Sequence, residues 1–164
     1  MPLLLALDLS LSSTGYAVIQ WEGKQATVIE VGHIDNKRKG RMKWSHGKRL
    51  MNIYDELSRV IYFGHPDIEL VVREKGVSRF NRATQVLFRV VGVVDLLLEE
   101  YGLQPSEEIS ISETKKLITG NGKAEKEEVA TAVQQYLTES TTFVNDDESD
   151  AVAVGVAYCL KEGL

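Results

Sequence analysis

Leu3-Leu4-Leu5-Ala6-Leu7-Asp8-Leu9-Ser10-Leu11-Ser12-Ser13-Thr14-Gly15-Tyr16-Ala17-Val18-Ile19 decides the fold. An apolar run over residues 3–9 is short and bounded by a Ser/Thr/Gly turn at 10–15, so it reads as a buried strand. A second strand follows at 16–20, then a turn at Glu22-Gly23-Lys24 and a third strand at 26–31. Strands joined by such short turns form an antiparallel meander. Asp8 stands at the end of the first strand, where a carboxylate is costly unless it is paired or bound to a cation.

Downstream the pattern changes to alternating helix and strand. Leu50, Ile53, Leu57, Val60 and Ile61 fall at helical spacing and predict a helix over 48–62, ended by Gly64-His65-Pro66. Residues 69–74 read as a buried strand that ends on Glu74. A helix over 82–100 carries Ala83, Leu87, Val90, Val91, Val94 and Leu97 on one stripe, with Phe88 and Leu96 off it. A fifth strand is placed at 109–111, helices at 112–118 and 124–137 flank Gly120-Asn121-Gly122, and a last helix covers 147–161. This order is that of an α/β, ribonuclease-H-like fold: a five-stranded mixed sheet with helices on both faces. With no internal repeat and no low-complexity linker, residues 1–164 are read as one domain.

Composition narrows the class. The 164 residues are 43% hydrophobic and 26% charged, an ordinary globular balance that argues against long disorder. A lone cysteine, Cys159, excludes an internal disulfide framework and a paired-cysteine zinc site, and fits a reducing interior such as the cytoplasm. No apolar run is long enough for a membrane span. The net charge of −5 hides an asymmetry: Lys37, Arg38, Lys39, Arg41, Lys43, Lys48 and Arg49 form a stretch without acids. Without those seven, 12 of the 19 bases remain against 24 acids. Such a stretch is either a solvated loop or a polyanion site, and Trp44 within it offers a face on which a base can stack.

The acids carry the chemistry. If the strands ending on Asp8 and Glu74 are parallel neighbours, both carboxylates emerge at the edge where ligands gather in α/β sheets. Asp146-Asp147-Glu148-Ser149-Asp150 opens the last helix, with Asp147 and Asp150 three apart on one face. Each acid alone also has a plain structural reading, since a carboxylate in a first turn complements the helix dipole or caps it. Four carboxylates converging from three elements need cations, and hard oxygen donors select magnesium or manganese. Two such ions can hold both the attacking and the leaving oxygen of a phosphodiester. His33, His46 and His65 are read as lying in turns or near the basic loop, outside the chemistry.

These motifs together resemble the RuvC-type Holliday junction resolvases. The opening stretch, Glu74 after its strand, the region 112–126 with Lys115 before a Gly-x-Gly turn and Lys126 eleven positions on, and Asp147-Glu148-Ser149-Asp150-Ala151-Val152-Ala153 match in order. The resemblance implies a homodimeric endonuclease that nicks four-way DNA junctions at paired positions. It further implies Asp8, Glu74, Asp147 and Asp150 as catalytic ligands of two Mg2+ ions, with Mn2+ a substitute, and Lys115 and Lys126 as phosphate contacts. Arg79, Phe80, Arg82 and Ser10 complete the expected DNA surface.

Two departures stand out. Leu9-Ser10 follows the first aspartate where many members have Pro-Gly, which looks more like divergent, phage-type members. Val77 stands where members often carry an aromatic wedge; Phe80 can take that role, or can be a hydrophobic staple for the next helix. The apolar second face of the 82–100 helix is the expected dimer contact, its competing reading being simple burial under the neighbouring helices. Competing functions are a broader branched-DNA or flap nuclease and a non-catalytic junction-binding protein. A sugar- or acetate-kinase-like ATPase, whose first phosphate loop residues 8–15 resemble, needs two such domains.

Overall fold

The computed structural model describes residues 2–37, 44–76 and 81–164. Five strands form one sheet: β1 (Leu3–Asp8), β2 (Ser13–Glu22), β3 (Gln25–Asp35), β4 (Ile68–Glu74) and β5 (Pro105–Ile109), in the spatial order β3-β2-β1-β4-β5. The β1–β2 and β2–β3 pairs are antiparallel, whereas β1–β4 and β4–β5 are parallel. The mixed sheet expected from the sequence is therefore present, with β1 at the junction between its hairpin side and its crossover side.

Strand alternation divides the molecule into two cores. Leu4 and Ala6 of β1, with Ala17 and Ile19 of β2 and Val72 of β4, pack under helices α4 (Lys126–Val133) and α5 (Asp146–Glu162). Leu5, Leu7, Val18 and Val71 face the other way, onto α1 (His46–Ser58) and α2 (Arg82–Glu100). Helices thus cover both faces. On the first face α5 lies very close to the sheet: a β-carbon added to Gly155 would sit 2.8 Å from Ile19 Cδ1 and 3.0 Å from Ala6 Cβ. Only the absence of a side chain permits that approach.

Several boundaries differ from the sequence reading, each for a physical reason. The fifth strand is Pro105–Ile109, not 109–111: Ser110 caps helix α3 (Ile111–Thr119) and Ile111 is its first residue. Glu107 and Glu108 disguise β5 as a polar loop because their charges are used in pairs with Lys161 and Arg73. Arg73 itself is buried, held between Asp95 of α2 at 2.5 Å and Glu108 at 2.7 Å. The helix expected over 48–62 is α-helical only to Ser58 and continues as a wider π turn, Arg59–Gly64. The helix expected over 124–137 is shorter, Lys126–Val133, followed by a 3-10 turn at Gln134–Tyr136. β2 begins at Ser13, inside the expected turn, because the hydroxyls of Ser10 and Thr14 satisfy the backbone there and let the pairing start early.

Candidate active site

The side-chain parity of two strands builds the site. Leu7 of β1 pairs with Arg73 of β4, and one residue beyond on each strand stand Asp8 and Glu74. Asp8 continues the Leu4–Ala6 row and Glu74 continues Val72, so both carboxylates leave the sheet on the α5 side. There they line a cleft of about 150 Å³ together with Asp150, Lys115, Lys126 and Thr114. Lys115 comes from α3, Lys126 is the first residue of α4, and Asp150 lies one turn into α5.

Electrostatics in this cleft are strained by design of the sequence. Burial, then repulsion from Asp150 and Asp147, pushes the Asp8 carboxyl up to about 7, while Lys126 pulls it down. Glu74 is raised to about 8, first by burial and then by Asp8 and Asp150, with Lys126 and Lys115 opposing. Lys126 donates to Asp150 Oδ2 at 2.8 Å, and that bond raises its own pKa. The lysine therefore supplies the positive charge that a cluster of acids requires.

Asp147 stands differently from the other three. It does not line the cleft; its Oδ2 accepts from Ser13 Oγ at 2.5 Å. Its backbone rests on Gly15, the residue paired with Asp8, where an added β-carbon would fall 2.0 Å from Asp147 O. With Asp147 bonded to Ser13 and Asp150 to Lys126, the described residues hold no group of three acidic, histidine or cysteine side chains closed around a metal position. The donor set nonetheless suits a hard cation: three carboxylates share one cleft, and two of them are raised by burial and mutual repulsion that a bound cation relieves.

Other expected contacts fall variously. Arg82 opens α2 and lines a separate groove with Ser10, Ser12, His46 and Arg49. The Ser10 hydroxyl, expected to reach DNA, is engaged inside its own turn, donating to Ser13 O at 2.6 Å and accepting from Ser13 N at 3.0 Å. Lys48 lies over the Trp44 ring, 5.0 Å from its centroid, so this ring already carries a cation on one face. Arg79, Phe80 and Val77 lie outside the described residues, as do Arg38, Lys39, Arg41 and Lys43 of the basic stretch.

Two residues were missed by sequence reasoning. His33 is not in a turn but in β3, and its Nδ1 pairs with Glu148 Oε1 at 2.8 Å. Glu148 is buried and also accepts from Val144 N at 2.8 Å, so it fastens the first turn of α5 to the sheet. Ser13 was read only as part of a turn. The signal for it was weak but present: a hydroxyl two residues before Gly15 shares that glycine's side of the strand, facing α5.

Comparison with known proteins identifies the family and the fold. The sequence profile of Crossover junction endodeoxyribonuclease RuvC matches residues 4–158. A protein of that name from Synechococcus sp. (strain WH7803) is 32% identical over 153 residues, covering 93% of this chain and 95% of the relative. One from Prochlorococcus marinus subsp. pastoris is 30% identical over 162 residues, covering 98% of each. Among solved structures, Thermus thermophilus RuvC in complex with Holliday junction substrate superposes with a TM-score of 0.85 at 19% identity, over 99% of this chain and 95% of that one. The carboxylate-lined cleft at the parallel edge thus sits in a chain that belongs to the RuvC family of crossover junction endodeoxyribonucleases.

Proposed function

We propose that this chain resolves four-way DNA junctions, each of two clefts in a homodimer nicking one strand to leave 5′-phosphate and 3′-hydroxyl ends. The observation that carries the reading is the delivery of Asp8, Glu74 and Asp150 into one cleft flanked by Lys115 and Lys126. Family membership makes the chain a metal-dependent junction nuclease; two Mg2+ ions per site, replaceable by Mn2+, are the finer assignment. Asp8, Glu74, Asp147 and Asp150 would hold them. When bound, such ions activate a water for attack and stabilise the departing 3′ oxygen.

The chain's own residues do the rest. Lys115 and Lys126 at the cleft draw a backbone phosphate toward the acids and offset its charge. Lys126 opens α4, whose first turn is closed by the reciprocal Glu125–Glu128 capping box, so the attraction for an anion there is that of the lysine itself. Arg82 with Arg49 and His46 along the neighbouring groove would track a second stretch of backbone, fixing position without reading sequence. Phe88 and Leu96, exposed on one side of α2 with Gly92 between them, form the surface proposed for the two-fold partner. Residues 1–164 act as one nuclease domain in a reducing compartment such as the cytoplasm.

The test is a cleavage assay with labelled four-way junctions, replication forks and flaps in Mg2+. Paired nicks confined to the four-way junction are expected. Equal cutting of flaps would move the assignment to a general branched-DNA nuclease, and binding without cutting would overturn the catalytic reading.

A further inference from the structure

The loop between Asp8 and Gly15 is a ring of hydroxyl bonds, braced by Asn36, which donates to Ser12 O and Leu11 O, and it has a side-chain connection to α5. Ser10 Oγ bridges Ser13 N and Ser13 O, and Thr14 Oγ1 donates to Ser10 O at 2.7 Å. These bonds fix the backbone of Ser13, a residue only 4% exposed. The connection leads from Ser13 Oγ to Asp147 Oδ2, across 134 positions of sequence, and joins β2 to the first turn of α5. Gly15 two residues on lies against the backbone of the same Asp147. Asp147 is thus held at main chain and side chain by β2, on the residue that pairs with Asp8.

From this geometry we propose that Ser13 is a positioning residue for Asp147, presenting that carboxylate to the cation of the cleft. The proposal rests on the reading of Asp147 as a cation ligand. The hydroxyl takes one lone pair of Asp147 Oδ2, which makes Oδ1 the freer donor to a cation and fixes the orientation of the carboxylate. A carboxylate ligand left without its orienting partner spends most of its time in other rotamers, and loss of such partners lowers metal affinity by about 10–100-fold.

The experiment is a titration of DNA-free protein with Mn2+, following unbound ion by electron paramagnetic resonance. It compares wild type, Ser13→Ala, Ser13→Thr and Asp147→Asn. Ser13→Ala adds no volume to the buried site, and gel filtration and thermal melting without ion verify its fold. Ser13→Ala is expected to bind Mn2+ about 10-fold or more weakly, with Ser13→Thr restoring affinity to within about threefold of wild type. Unchanged affinity in Ser13→Ala beside weakened Asp147→Asn overturns the role of Ser13 and leaves the cation site standing. Equal weakening in the Ala and Thr variants also overturns it, since packing rather than the hydroxyl then governs. Unchanged affinity in Asp147→Asn removes the ligand reading beneath the proposal, and the proposal with it.

Discussion

Asp8 and Glu74 end adjacent parallel strands one step beyond the Leu7–Arg73 pair, and both side chains project to the face covered by α5. A shift of one residue in either strand would send one carboxylate to the α2 face, where Arg73 now lies between Asp95 and Glu108. The register of the sheet therefore decides whether the two carboxylates share the cleft.

Replacing Asp8 tests that arrangement most directly. Asp8→Asn should cut metal-dependent nicking by at least about a hundredfold, the upper range for losing even an indirect metal partner. Binding of four-way junctions, measured by gel shift, should stay near wild type because the phosphate contacts are elsewhere. Nicking at near-normal rate would remove Asp8 from the reaction.

Protonation should govern the cleft near neutrality. With Asp8 raised to about 7 and Glu74 to about 8, the metal-free folded chain holds protons that the unfolded chain has released. Their contribution to stability is full below the ordinary carboxylate range and is lost as pH rises through about 7 to 8. Thermal melting without metal should fall from the ordinary carboxylate range up to that window and level off above it, and Asp8→Asn should flatten the fall. Cleavage should rise over the same window, with a midpoint that moves to lower pH as Mn2+ is increased, since ion and proton compete for the same oxygens.

Lys126 faces both ways, toward Asp150 and toward an incoming phosphate. Lys126→Gln should lower the slope of log affinity against log salt by about one for junction DNA. Because Lys126 holds Asp8 and Glu74 down, the same variant should shift the pH–rate midpoint upward. An unchanged salt slope would confine Lys126 to its pairing with Asp150.

Close contact between Gly15 and Asp147 predicts a severe effect from one methyl. Gly15→Ala puts a β-carbon 2.0 Å from a backbone oxygen, which cannot rotate away. Stability should fall by the upper end of the roughly 1–3 kcal/mol typical of overpacking, read by denaturant titration. Nicking should fall further than the loss of folded protein explains, since the start of α5 is displaced.

The exposed stripe on α2 gives an oligomer prediction. Phe88 is 53% exposed and Leu96 66%, and among the described residues a β-carbon built on Gly92 meets nothing within 4 Å beyond its chain neighbours and its own helix backbone. Phe88→Glu should convert a dimer to a monomer in sedimentation velocity while leaving single nicks on each junction. A dimer unaffected by the change would place the two-fold contact on another surface.

Strand and helix order, the buried faces of β1 and α5, and the positions of Asp8, Glu74 and Asp150 were legible in the sequence, because each is a local pattern. An acid closing an apolar strand and two acids opening an apolar helix declare themselves without reference to distant residues. The edge strand β5 was not legible, since Glu107 and Glu108 look like a loop until Lys161 and Arg73 are seen beside them. Nor was the pairing of His33 with Glu148, or of Ser13 with Asp147, because each joins residues more than a hundred positions apart. Sequence determined which groups exist and, for the four acids, which element carries each one. Tertiary structure alone decided that Asp147 is held by a serine outside the cleft wall while Asp150 faces a lysine within it, because those choices depend on how α5 lies against β2 and α4.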